Sequence, residues 1–115
     1  MECIFCEIAK GSKPAGVVYE DDEVKVFTSI QPSAPVHLLV IPKEHIPSIA
    51  HLEANHNALI AKLIYTAKRI AEEKGLLGYK LVFNVGREGG QVIDHLHLHL
   101  LGGWGNKENP DQFRV

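Results

Sequence analysis

The sequence predicts an α+β fold, in which a largely antiparallel five-stranded sheet carries one long helix and a short N-terminal helix. Three stretches lead to it. His95-Leu96-His97-Leu98-His99-Leu100-Leu101 alternates imidazole with aliphatic side chains, the period of a strand with one chemical face and one buried face. Val36-His37-Leu38-Leu39-Val40-Ile41, closed by Pro42, is an almost continuous apolar run of strand length. Between them, from Glu53 to Lys74, Ile60, Leu63, Ile64, Ala67, Ile70 and Ala71 recur at helical spacing, so one stripe of a long helix packs on the sheet.

In chain order, residues 3–10 have the apolar spacing of a short helix, stopped by Gly11 and turned by Pro14. Val17–Tyr19 and Val24–Thr28 read as the arms of a β-hairpin joined through the solvated turn Glu20-Asp21-Asp22-Glu23, because β-branched and aromatic residues suit a half-buried pleated surface. The apolar strand at 36–41 follows Pro32 and Pro35. The long helix ends at Gly75 and Gly78, and Tyr79–Val85 forms the fourth strand. Asn84-Val85-Gly86-Arg87-Glu88-Gly89-Gly90-Gln91 then makes a loop whose three glycines allow tight turning and close approach of backbone to a ligand. The histidine strand is the fifth. One domain is expected over residues 1–103, with 104–115 a C-terminal tail in which Trp104 serves as a core plug or an interface residue.

Composition removes several classes of function. The 115 residues carry 12 Lys and Arg against 14 Asp and Glu, for a formal charge of −2. The cations are scattered, so nucleic acid is not an expected partner. No apolar run approaches the length of a membrane span, and Met1-Glu2-Cys3-Ile4-Phe5-Cys6 lacks the basic and apolar regions of a signal peptide. A soluble, cytoplasmic protein with no membrane partner is expected. The two cysteines, Cys3 and Cys6, stand three residues apart. In a reducing compartment such a pair reads as half of a metal site, the alternative being two small buried hydrophobes on the short helix.

His95, His97 and His99 would line one strand face about 7 Å apart at each step of two residues. Imidazole can shuttle protons near neutral pH, attack as a nucleophile or bind metal. Beside a glycine loop whose N–H groups can hold oxygens, the face suits a phosphate ester or phosphoramidate, with His97 the nucleophile because both neighbours flank it. Its second ring nitrogen then needs a hydrogen bond to set the tautomer, for which a backbone carbonyl suffices. A separate reading has the three histidines grip one metal ion and activate water.

The run from Asn84 through Gly89-Gly90-Gln91 to His95–Gly103 resembles the histidine triad (HIT) superfamily, and within it the Hint branch of purine nucleoside phosphoramidate hydrolases. Ile4-Phe5, the Tyr19-Glu20-Asp21-Asp22 turn and Pro35-Val36-His37-Leu38-Leu39-Val40-Ile41-Pro42-Lys43-Glu44-His45-Ile46 also look like that branch, so the resemblance spans nearly all of the chain to Gly103. It implies a HIT-like fold, a two-fold homodimer, and a purine nucleoside monophosphate such as AMP or GMP bound in each subunit. The implied activity is cleavage of a P–N bond through a nucleotidyl-His97 intermediate, without a catalytic metal. By the same resemblance His99 donates to phosphoryl or leaving-group atoms, and His37 and His95 complete a proton relay. Asn84, Gly90, Gln91 and Val92 hold the phosphate, and Ile8, Phe27, Ile30 and Leu39 wall the base pocket. Dinucleoside polyphosphate hydrolysis, nucleotidyl transfer, or nucleotide binding with little turnover are the alternatives.

Two positions depart from the branch. Ser29 stands where an acidic residue usually grips the ribose hydroxyls, and loss of a charge-assisted hydrogen bond costs roughly 1.5–3 kcal/mol of binding. Val92 stands where animal members carry a serine that helps hold the phosphate. The resemblance also implies a structural zinc in bacterial relatives, and it adds His45 and His95 to Cys3 and Cys6 to make a closed Cys2His2 set. As a ligand, His95 would orient its neighbours rather than relay protons.

Overall fold

The computed structural model describes residues 3–105. Helix α1 spans Ile4–Lys10, followed by strands β1 (Val17–Glu20), β2 (Val24–Thr28) and β3 (Val36–Pro42), helix α2 (Asn57–Glu73), and strands β4 (Tyr79–Val82) and β5 (Leu98–Gly102). The five strands form one antiparallel sheet in the order β1-β2-β3-β5-β4. The expected tail lies outside the described residues from 106 onward. No helix among the described residues is long and apolar enough to cross a membrane.

The register sorts the side chains. Val24, Val26, Leu38, Val40, Leu98 and Leu100 share one face and bury against Leu63, Ala67, Ile70 and Ala71 of α2. Burying each large aliphatic side chain there stabilises the fold by roughly 1.5–3 kcal/mol. On the other face Phe27, Leu39 and Ile41 meet Phe5, Ile8 and Ala9 of α1 in a second cluster. That face also carries His37, opposite Leu101, and His99, opposite Leu39. The short helix roofs only part of it, and the histidines occupy the rest.

Helix α1 is held at both ends. The Cys3 thiol accepts from the Cys6 N–H at the N-cap, and Gly11 closes the C-terminus at φ 83°. The buried Lys25 ammonium reaches across from β2 to donate to the Ile8 carbonyl at 2.7 Å, which also accepts the Gly11 N–H, so the last turn of the helix is tied to the sheet.

The observed elements differ from expectation at three boundaries. Helix α2 begins at Asn57 rather than Glu53, because two 3₁₀ turns, Ile49–His51 and Ala54–His56, lead into it and Glu53 and His56 cap each other reciprocally. Its buried stripe runs through Leu63, Thr66, Ala67, Ile70 and Ala71, leaving Ile64 exposed. Strand β4 stops at Val82 because Asn84 turns to donate to the Gly89 carbonyl. Strand β5 pairs only from Leu98, opposite Val40. Upstream, the Pro42 carbonyl is taken by the His95 side chain and the Leu96 N–H goes to the Ile46 carbonyl, so the ladder ends.

Candidate active site

Two hydrogen-bond chains converge on the histidine face, and together they assign the tautomers. The Ser33 N–H donates to His37 Nδ1 at 2.9 Å, so the His37 proton sits on Nε2 and is donated to His99 Nδ1, also at 2.9 Å. The remaining His99 proton is therefore on Nε2. In the second chain His97 Nδ1–H donates to the His95 carbonyl at 2.7 Å, which leaves a lone pair on His97 Nε2. The His97 and His99 rings are 4.9 Å apart. A ring with a free nucleophilic nitrogen thus packs against a ring whose Nε2 carries a proton.

The environment keeps these rings neutral. Burial pushes His99 down to about 4, assisted by repulsion from His97 and His37. Burial also lowers His97 against the upward pull of the His95 carbonyl, and lowers His37 together with repulsion from His97. Phe5 of α1 packs edge-on against His97 at 5.2 Å and His95 at 5.9 Å between ring centroids, fixing the plane of the central ring.

His95 is turned away from this pair. Its side chain is fully buried, its Nε2–H donates to the Pro42 carbonyl at 2.8 Å, and its Nδ1 lone pair faces Cys3, Cys6 and His45. The side-chain relay expected of His95 is replaced by its backbone carbonyl, which orients His97. The four candidate ligand atoms lie within 4.8 Å of one another. Cys3 Sγ to His95 Nδ1 is 3.4 Å, Cys6 Sγ to His95 Nδ1 is 3.6 Å, Cys6 Sγ to His45 Nδ1 is 3.2 Å, and the two imidazole nitrogens are 3.2 Å apart. Tetrahedral zinc with ordinary Zn–S and Zn–N lengths requires edges of roughly 3.3–3.8 Å. Donor chemistry and spacing therefore fit a structural zinc; burial raises the Cys6 thiol, and the neighbouring Cys3 raises it further.

The glycine loop lies beside the triad. Gly86 and Gly90 have φ of 71° and 87°, conformations that glycine adopts without strain. Asn84 Nδ2–H donates to the Gly89 carbonyl at 2.8 Å, and this amide packs within van der Waals reach of Gly90. Arg87 forks onto Asp94 at 2.8 and 2.9 Å. Gln91, expected to face the phosphate, is 2% exposed and spends its side chain inside the protein. Both its Oε1 and Nε2 have partners on the chain, so it cannot contact a ligand without losing them. Gly90 N–H is likewise committed, to the Arg87 carbonyl.

The expected base-pocket residues divide. Ile8, Phe27 and Leu39 join one buried cluster, whereas Ile30, beyond the end of β2, is 92% exposed and outside it. Ser29 sits next to His37 through its N–H to the His37 carbonyl, and its hydroxyl accepts from the Gln31 N–H. Val92 is exposed. Sequence reasoning missed Ser33 and Phe5. Phe5 carried a signal, being the aromatic residue inside the Cys-x-x-Cys turn; Ser33 acts through its backbone and carried none.

The sheet thus carries a central imidazole pair, a glycine loop and a Cys/His cluster at one helix end, an arrangement suited to nucleophilic and acid–base chemistry by histidine. Residues 2–108 match the family described as "Scavenger mRNA decapping enzyme C-term binding". The chain is 42% identical over 104 residues to the purine nucleoside phosphoramidase of Escherichia coli (strain K12), covering 89% of this chain and 87% of that one. A HIT family hydrolase from Legionella pneumophila Philadelphia 1 has a TM-score of 0.89 at 47% identity, covering 95% of this chain and 99% of the other. A Zn-bound histidine triad family protein from Mycobacterium smegmatis has a TM-score of 0.80 at 29% identity, covering 97% and 86%. The chain belongs to the histidine triad (HIT) family and is a HIT family hydrolase.

Proposed function

We propose that this protein cleaves the P–N bond of purine nucleoside 5′-phosphoramidates, releasing an amine and the nucleoside monophosphate. The observation that carries the reading is the pair of opposed tautomers, a lone pair on His97 Nε2 beside a proton on His99 Nε2. In the first step His97 Nε2 forms a bond to the α-phosphorus, the P–N bond breaks, and the leaving nitrogen takes a proton from the His99 side, with His37 behind it. Positive charge that develops on the attacking ring strengthens its Nδ1–H bond to the His95 carbonyl. In the second step one water attacks phosphorus and gives a proton back to the His99 side, replacing the one spent on the amine, while the Nε2–P bond breaks and the electron pair returns to His97. Asn84 and the exposed backbone at Val92 cradle the phosphate, while Ile8, Phe27 and Leu39 back the base, with Ile30 at the rim. Ser29, whose N–H donates to the His37 carbonyl, would offer a ribose hydroxyl only a neutral contact.

Zinc held by Cys3, Cys6, His45 and His95 supplies a structural cross-link between α1, the segment after β3 and the approach to β5. The name of the Escherichia coli relative supports the substrate class, and the Zn-bound mycobacterial relative supports the metal. A second copy of the chain would pair along β4, which is an open sheet edge. Next to that edge, Leu76, Leu77, Tyr79, Lys80 and Trp104 line a cleft of about 630 Å³, and Leu77, Tyr65 and Ile64 are exposed. Two reduced thiols in a metal-type cluster fit a cytoplasmic setting.

The test is amine release from adenosine 5′-phosphoramidate by the protein and by His97→Ala. The wild type should turn over and the variant should not, while still binding AMP. AMP binding without turnover by the wild type would make this a nucleotide-binding module. Preferential cleavage of a dinucleoside polyphosphate would move it to that class of hydrolase.

A further inference from the structure

Gln91 is among the few buried polar side chains near the histidines, and the reaction above gives it nothing to do. It is 2% exposed and fully satisfied. Its Oε1 accepts from the Gly86 N–H at 2.9 Å, and its Nε2 donates to the Pro47 carbonyl at 2.7 Å and to the Ile93 carbonyl at 2.9 Å. One amide therefore ties Gly86, the first glycine of the loop, to Ile93, two residues past the loop's end, and to Pro47 in the segment that follows β3. Its main chain closes the same turn: the Gln91 N–H donates to the Gly86 carbonyl at 3.0 Å, and Arg87 donates to the Gln91 carbonyl at 2.7 Å. Glutamine is the side chain that supplies one acceptor and two donors at this reach.

The consequence falls on its neighbours. The N–H groups of Gly86, Gly89, Gly90 and Gln91 are all consumed inside the loop, whereas Val92 N–H has no acceptor among the described residues and Val92 is 76% exposed. Asn84, the other polar group at this edge, is braced on Gly89 inside the turn that Gln91 closes. We propose that Gln91 is the positioning residue of the phosphate subsite: without touching the ligand, it holds Val92 N–H and the Asn84 amide in the orientation that receives a nucleotide phosphate. This rests on the nucleotide reading given above. A loop ordered in advance does not have to be ordered at the expense of binding.

Gln91→Met keeps the volume and removes all three side-chain hydrogen bonds, and Gln91→Glu keeps the acceptor while losing both donors. Affinities for AMP and for adenosine are measured by calorimetry on the wild type and both variants, with KM and kcat for adenosine 5′-phosphoramidate and amide hydrogen exchange. In the wild type the Gly86 amide should exchange slowly, a measurement that needs no variant to fold. Gln91→Met should weaken AMP and raise KM about tenfold, leave adenosine affinity unchanged, and change kcat less than about threefold. Faster exchange should be confined to 86–92, and Gln91→Glu should show a loss for AMP as well. Equal loss of AMP and adenosine affinity would reduce Gln91 to a general stabiliser, and unchanged AMP affinity would remove its role at the phosphate. A rapidly exchanging Gly86 amide in the wild type would contradict the pin itself. If the wild type binds neither compound, the nucleotide reading fails first and takes the phosphate subsite with it.

Discussion

The acid sensitivity of His99 follows directly from its burial. In the folded protein its imidazole is pushed from an ordinary 6.5 down to about 4, while in the unfolded chain it returns to the ordinary value. Above pH 6.5 both states are neutral at this position and the site contributes no pH dependence. Between 6.5 and 4 the unfolded chain binds a proton that the folded site refuses, so stability falls as pH falls through that window. From pH 7.5 to pH 5 these two values give a loss of about 2 kcal/mol at 1.36 kcal/mol per unit, reduced to about 1 kcal/mol because the ring is partly open to solvent. The assay is urea denaturation of the wild type and His99→Gln at both pH values. The wild type should lose about 1 kcal/mol more than the variant on acidification. Equal losses would show that His99 titrates alike in both states and that the enclosure inferred for the histidine pair is wrong.

Other consequences are equally direct. Replacing His37 by Ala removes the donor to His99 Nδ1 and should lower kcat about tenfold to a hundredfold, as loss of an orienting partner does elsewhere; steady-state kinetics with AMP affinity as a control checks it. Elemental analysis of untagged protein should find about one zinc per chain, lost in Cys6→Ser, with a lower Tm for the stripped wild type. Leu100→Ala, at a fully buried position between the sheet and α2, should cost about 2–5 kcal/mol in chemical denaturation.

Much of this arrangement was legible because the informative residues are periodic. The run Val36–Pro42 and the alternation around His97 and His99 declare strands through their own side chains, and the stripe through Leu63, Ala67, Ile70 and Ala71 declares a helix. What escaped was decided by partners distant in the chain. His95 has the same spacing as His97 and His99, so spacing alone could not choose between relay and ligand; its nitrogens face the Pro42 carbonyl and the Cys3, Cys6 and His45 cluster, the ligand alternative that the family resemblance offered. Gln91 sits in a loop that looks made for a ligand, and only the Pro47 carbonyl, 44 positions away, shows that its amide is spoken for. Ile64 belongs to the helical stripe by spacing, but it lies exposed on α2 and Thr66 is buried instead. The start of α2 was hidden because Glu53 and His56 cap a 3₁₀ turn whose composition differs little from that of the helix after it.

The central claim is that His97 Nε2 is the atom that attacks phosphorus. A single turnover of adenosine 5′-phosphoramidate, quenched in alkali and digested for mass spectrometry, tests it most directly. The adenylyl group should be found on His97, and His97→Ala should form no adduct. An adduct on His99, or hydrolysis that persists in His97→Ala, would contradict the account.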